Sequence, residues 1–184
     1  MEIVVKQQGS KEDGFSLIEV LAAITILSIV ALVLSSYFTS SLSYSKKNQN
    51  KTIMVNLARN ALFYMEKQSF SVLSGYFEDT DSLKCKKKPE SPVQDCSEPA
   101  SLLSADEDVV RGVLSPTVNG IQYSVSIQYQ RNLHEDMLHS TDETKKNSAK
   151  YLLPVKVTVQ GPGDNGSRAN ETVVEGYITD ETIR

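Results

Sequence analysis

GFSLIEVLAAITILSIVALVL, residues 14–34, carries a single charge, at Glu19. From Phe15 to Leu34 run about twenty residues without Pro, Gly or a second ionisable group, the length at which a helix crosses the hydrocarbon core of a bilayer. The run reads as a membrane segment before it reads as a core helix. A carboxylate inside such a segment costs about 2.5–3.5 kcal/mol on insertion scales, so Glu19 requires compensation. Two forms are open to it. It can snorkel to the headgroups or protonate, since it lies about a turn and a half into the helix. It can also pair with an ammonium in low dielectric, which repays desolvation only with good geometry.

Gly14-Phe15-Ser16-Leu17-Ile18-Glu19-Val20-Leu21, followed by the apolar run, resembles the processing and methylation motif of type IV prepilins and of the pseudopilins of type II secretion and competence systems. The resemblance rests on the first quarter of the chain. It implies that residues 1–14 are a leader cleaved after Gly14 by a prepilin peptidase, which then N-methylates the new terminal residue, Phe15. It implies that Glu19 faces the N-terminal ammonium of a neighbouring subunit during filament assembly. The implied partners are that peptidase/methyltransferase, other pilin or pseudopilin subunits, an inner-membrane assembly platform with its ATPase, and the bilayer. Gly14 also suits a tight peptidase site on physical grounds, having no Cβ to clash with an extended backbone.

The leader departs from the usual basic pattern, because Lys6 and Lys11 stand against Glu2, Glu12 and Asp13. Lys46, Lys47 and Lys51 follow the run, so the distribution of basic residues does not orient the segment. A cytoplasmic N-terminus with an extracytoplasmic C-terminal domain is the orientation the motif implies. A secretory signal peptide fits less well, since its apolar core spans only 7 to 15 residues and ends in a small-x-small site.

The chain has 184 residues and a formal net charge of −4, room for one modest domain beside the anchor. Mild acidity excludes the broad basic footprint of a nucleic-acid binder. Lys84, Lys86, Lys87 and Lys88 form a short basic run beside Pro89, which reads as a solvated loop, with DNA as a minor possibility.

Between Phe15 and Gly75 there is neither Gly nor Pro, so the helix is expected to run on past the membrane. Residues 15–34 form its transmembrane part and residues 35–74 its soluble part, weakened by Ser35, Ser36, Ser40, Ser41, Ser43 and Ser45. Met54, Ala58, Ala61, Leu62 and Met65 follow helical spacing, with Ile53 and Leu57 widening the same face. Such a stripe is expected to be core, covering the C-terminal domain. Residues 75–117 read as a connector loop punctuated by Gly75, Pro89, Pro92, Pro99 and Pro116. Cys85 and Cys96 are the only cysteines and fall within it. Outside the cytoplasm they are expected to form a disulfide; free thiols are the alternative, and a metal site lacks its further ligands.

Residues 118–184 read as an antiparallel β-sheet domain. Tyr123, Val125, Ile127 and Tyr129 alternate with polar residues, as do Val155, Val157 and Val159. Thr172 to Thr179 offers a third strand, with Val174 and Tyr177 less regularly placed about Gly176, and Gly161–Ser167 is the expected hairpin loop. Leu133 to Lys150 reads as a polar connection with one short helix. The fold class is α+β, pilin-like: a long N-terminal helix, half in the membrane and half amphipathic, packed on a small antiparallel sheet.

Catalytic and metal constellations are not assembled by the sequence. His134 and His139 are five apart, not the four of a zinc-protease helix. Gly161–Ser167 lacks the Lys of a phosphate loop, and Asp106-Glu107-Asp108 lacks the spacing of a known calcium loop. No cofactor, metal or enzymatic activity is expected. The expected function is that of a minor pilin or pseudopilin in a filament for secretion, DNA uptake or adhesion. The alternatives are a major pilin, a single-pass extracellular binding module, and a secreted hydrolase with a long signal peptide.

Overall fold

The computed structural model describes residues 14–87, 93–161 and 170–183. The expected leader apart from Gly14, Lys88, Pro89 and Pro92 of the basic loop, and most of the Gly161–Ser167 hairpin loop lie outside the described residues. The chain divides into two compact units, Met1–Lys46 and Lys47–Arg184. Helix α1 (Leu17–Glu66) contributes to both.

In the first unit α1 is helical throughout and its side chains are exposed. Thr25, Ser28 and Thr39 are accommodated within it, each donating to a carbonyl of the preceding turn. Thr25 Oγ1 donates to Ala22 O at 2.8 Å and Ser28 Oγ to Ile24 O at 2.7 Å. Such back-bonding lets a polar side chain sit in an apolar helix with no donor left unsatisfied.

In the second unit the last turns of α1 bury Met54, Ala58, Ala61 and Met65, with Ile53, Leu57 and Leu62 half-buried. The amphipathic stripe is therefore core, as its spacing requires. The helix stops at Glu66 rather than continuing to residue 74, although no Gly or Pro intervenes. One turn beyond Met65 the stripe positions become Gln68 and Ser69, so burial no longer rewards further helix. Gln68 turns back instead, its Nε2 donating to Tyr64 O at 3.0 Å. A separate helix, α2 (Phe70–Asp79), restarts at Phe70, whose N–H donates to Glu181 Oε1 at 2.9 Å.

The expected connector is not a loop. Besides the second half of α2 it contains β1 (Ser82–Lys84), α3 (Ser97–Leu102) and α4 (Glu107–Leu114). These elements bury Leu73, Phe77, Leu83, Ala100, Val110 and Leu114 in the common core. Short helices of six and eight residues show too few turns for a period to be read, which is why punctuation dominated the sequence signal. Val118 and Ile121 then pair in a hairpin of β2 (Thr117–Val118) and β3 (Ile121–Gln122). Asn119 and Gly120 at its tip both have positive φ, at 52° and 75°, the conformation that a two-residue Asn-Gly turn supplies.

The main sheet is antiparallel, in the order β1-β4-β5-β6, with β4 (Ser124–Tyr129), β5 (Leu152–Gln160) and β6 (Glu171–Thr179). Val125, Ile127, Val155, Val157 and Val159 are buried on the inner face, with Leu83 beside them. On β6 that face is carried by Thr172, Val174, Gly176 and Ile178, so Tyr177 belongs to the opposite, outer face. Pro154 faces β4 in the register and accepts from Gln130 N–H at 2.9 Å, but has no N–H to return. The ladder ends there, and the chain turns into α5 (Arg131–Leu138). The segment to Lys150 holds two helices rather than one, α5 and α6 (Glu143–Ala149), the second opened by Asp142, which accepts from Thr144 N–H at 2.8 Å.

Candidate functional site

The residues from Gly14 to Glu19 lead into α1. Gly14 and Phe15 precede the helix, and both are exposed, Phe15 at 83%. Ser16 starts the helix as its cap: Glu19 N–H donates to Ser16 Oγ at 3.3 Å and to Ser16 O at 3.1 Å. Ser16-Leu17-Ile18-Glu19 is the Ser-x-x-Glu spacing of a capping box, a signal present in the sequence beside the methylation motif. The carboxylate of Glu19 is exposed and lies in the first turn, where the helix dipole favours negative charge. Among the described residues it has no ion-pair or hydrogen-bond partner. One helix in the described chain, α1, is long and apolar enough to cross a membrane, and none of its apolar window is buried within the chain.

Cys85 and Cys96 are joined as a disulfide, both largely buried. Next to them, Lys86 and Asp95 exchange backbone N–H···O bonds at 2.8 Å. The free-thiol alternative is set aside. Of the lysines in the same loop, Lys86 pairs with Glu98 at 2.5 Å, and that pairing raises its pKa.

The other polar residues singled out in the sequence have structural partners. Asp106 caps α4, its Oδ1 accepting from Asp108 N–H at 2.8 Å, while Glu107 and Asp108 both pair with Arg111. His134 accepts from or donates to Tyr129 OH through Nδ1, and its Nε2 meets Ala149 O at 2.8 Å. A carbonyl only accepts, so Nε2 carries the proton and donates, and Nδ1 accepts a hydrogen bond from the Tyr129 hydroxyl. His134 thereby ties the end of β4 to the end of α6, and His139 closes α5 instead of joining it.

A polar staple that sequence reading missed lies nearby. Arg131 reaches from α5 to the C-terminus of α2, donating to Phe77 O at 2.8 Å, Glu78 O at 3.1 Å and Asp81 Oδ1 at 3.0 Å. Its guanidinium also lies over Tyr129, 5.4 Å from the ring centroid. The outer face of the sheet carries two adjoining depressions of about 660 and 680 Å³ that share Gln128 and Lys156. Ser124, Ser126, Thr158 and Gln160 line the second as well, a surface able to hydrogen-bond but, among the described residues, with no paired nucleophile and base.

No curated protein and no solved structure matches the chain. Residues 9–35 match the family described as the prokaryotic N-terminal methylation motif. That match, together with the exposed apolar helix that begins at Leu17 and the α+β domain behind it, supports a type IV pilin-like family for this chain.

Proposed function

We propose that the chain is a membrane-anchored minor pilin or pseudopilin whose activity is assembly. Prepilin peptidase cleaves after Gly14 and methylates Phe15, the helix behind it holds the subunit in the bilayer, and an ATP-driven platform draws it into a filament. The observation that carries this reading is the methylation motif at residues 9–35 continuous with an apolar helix that buries none of its apolar window in its own chain.

Within that scheme Glu19 is the assembly residue. A carboxylate with no partner among the described residues, held in the first turn of an apolar helix, is compensated by the terminal ammonium of a neighbouring Phe15. The ion pair gains most where water is excluded. Replacement of Glu19 by Ala therefore leaves cleavage intact and removes the chain from the filament fraction.

Intact-mass analysis of membrane-fraction protein tests the reading. The expected chain begins at methylated Phe15 when the peptidase is present and retains residues 1–14 when it is absent. Retention of the leader beside a working peptidase overturns it.

A further inference from the structure

We propose that the outer face of the sheet binds an acidic polysaccharide, a sugar polymer carrying carboxylates or sulfates, in the trough between Lys84 and Lys156. The proposal goes beyond assembly and names a ligand for the domain that the anchor carries.

The second of the two depressions on that face is cationic. Lys84, Lys86, Lys87 and Lys156 line it against a single carboxylate, Glu171. Lys86 is committed to Glu98, whereas Lys84, Lys87 and Lys156 have no ion pair among the described residues. The register sets Lys156 opposite Glu175, yet the two do not pair: Lys156 lines both depressions and Glu175 lines neither. The basic run that reads in sequence as a solvated loop is therefore divided, with Lys84 held on β1 as part of the sheet face.

The placing of these cations favours a polymer over a small anion. Lys84 pairs with Ser126 of β4, and β4 separates β1 from β5, so Lys84 and Lys156 stand two strand spacings apart, about 10 Å across the sheet. A chain with charges at intervals meets each where it stands; a single small anion would have to draw the two like charges together. Beside them lie the hydroxyls of Ser126 and Thr158, paired across β4 and β5 and without hydrogen-bond partners among the described residues. Hydroxyls both donate and accept, as those of a sugar do.

No aromatic ring lines this depression, so it lacks the stacking platform that holds single-stranded nucleic acid. Charge and hydrogen bonding remain, the contacts that an acidic sugar polymer offers. The trough also points away from the soluble turns of α1, because the inner face of the sheet joins Met54, Ala58 and Met65 in one core.

The test uses the full-length chain in detergent micelles, with fluorescein-labelled polymers followed by anisotropy. Dextran sulfate and polygalacturonate separate sulfate from carboxylate as the recognised group, and neutral dextran supplies a backbone without charge. Binding to at least one acidic polymer, weakened by added salt, and none to neutral dextran is expected. Lys84→Gln combined with Lys156→Gln is expected to lower the affinity about tenfold. Lys145→Gln combined with Lys150→Gln removes the same charge near α6 and is expected to leave it unchanged.

Equal losses in the two double variants show a response to net charge alone and overturn the site. Tighter binding of a single-stranded DNA oligonucleotide, lost with Lys84 and Lys156, overturns the ligand class, and no binding to either acidic polymer overturns the proposal. The assembly reading, tested by processing of the N-terminus, stands in each case. Should Lys156→Gln lower the thermal midpoint, Lys84→Gln combined with Lys87→Gln takes its place.

Discussion

Gly176 on β6 lies directly beneath Leu62 of α1, so closely that a Cβ at this position would collide with the leucine's terminal methyl. The absent side chain lets the soluble turns of the helix settle on the edge of the sheet.

Gly176→Val is expected to destabilise the domain by about 1–3 kcal/mol through overpacking. Combination with Leu62→Ala is expected to recover part of that loss, because the smaller residue vacates the contested space. Chemical denaturation of the two single variants and the double variant measures the coupling.

Arg131 binds two carbonyls at the end of α2 as well as Asp81, fifty residues earlier in the chain. Arg131→Ala is expected to lower the thermal midpoint more than Asp81→Ala does, since an exposed ion pair contributes little and the carbonyls lose their cap. Arg131→Lys is expected to restore only part, because one ammonium cannot reproduce the planar fork. Added salt is expected to leave most of the Arg131→Ala effect in place.

The Cys85–Cys96 bridge closes a short loop, with a sequence separation of 11. Replacing both residues by Ser is expected to cost about 3 kcal/mol by the chain-entropy argument. Reductant is expected to lower the wild-type midpoint toward that of the variant and to leave the variant unchanged.

Tyr76 and Tyr129 flank Phe77, at 5.6 and 5.5 Å between ring centroids. Burial, foremost, raises both phenol pKa values above 10.0, with Glu98 adding to the effect at Tyr76 and Glu135 and Asp81 at Tyr129; Arg131 pulls Tyr129 the other way. A raised phenol favours the folded state while neutral. Its contribution is therefore complete below the unfolded value and lost as pH rises through the folded one. The thermal midpoint is expected to fall in strongly alkaline solution, with part of the phenolate absorbance appearing only as the domain unfolds. Phenolate absorbance complete before unfolding contradicts this.

The strands and the helical stripe were legible because their periods are long enough to read. Val155, Val157 and Val159 alternate without interruption, and Met54 to Met65 spans three turns. β6 was harder, since Gly176 stands where an inward apolar residue would mark the register and Tyr177 faces outward. The interior of residues 75–117 was not legible. Its helices last one or two turns, and their burial depends on partners such as Val125 that arrive later in the chain. At the N-terminus the motif pointed to Gly14, Phe15 and Glu19, while the Ser16 cap lay in the same letters unread. The Arg131 staple had no signal at all: nothing local to Asp81 or Phe77 announces a guanidinium that arrives fifty residues later in the chain.

Thr25 and Ser28, by turning their hydroxyls onto carbonyls of their own helix, alter what it means to move this segment between surroundings. Lipid tails and packed side chains are nearly equivalent solvents for a rod whose polar atoms are already satisfied from within. Exchange between the two is close to neutral for every residue from Val20 to Leu34. In the assembly proposed above, the direction of such an exchange is then decided at the carboxylate of Glu19.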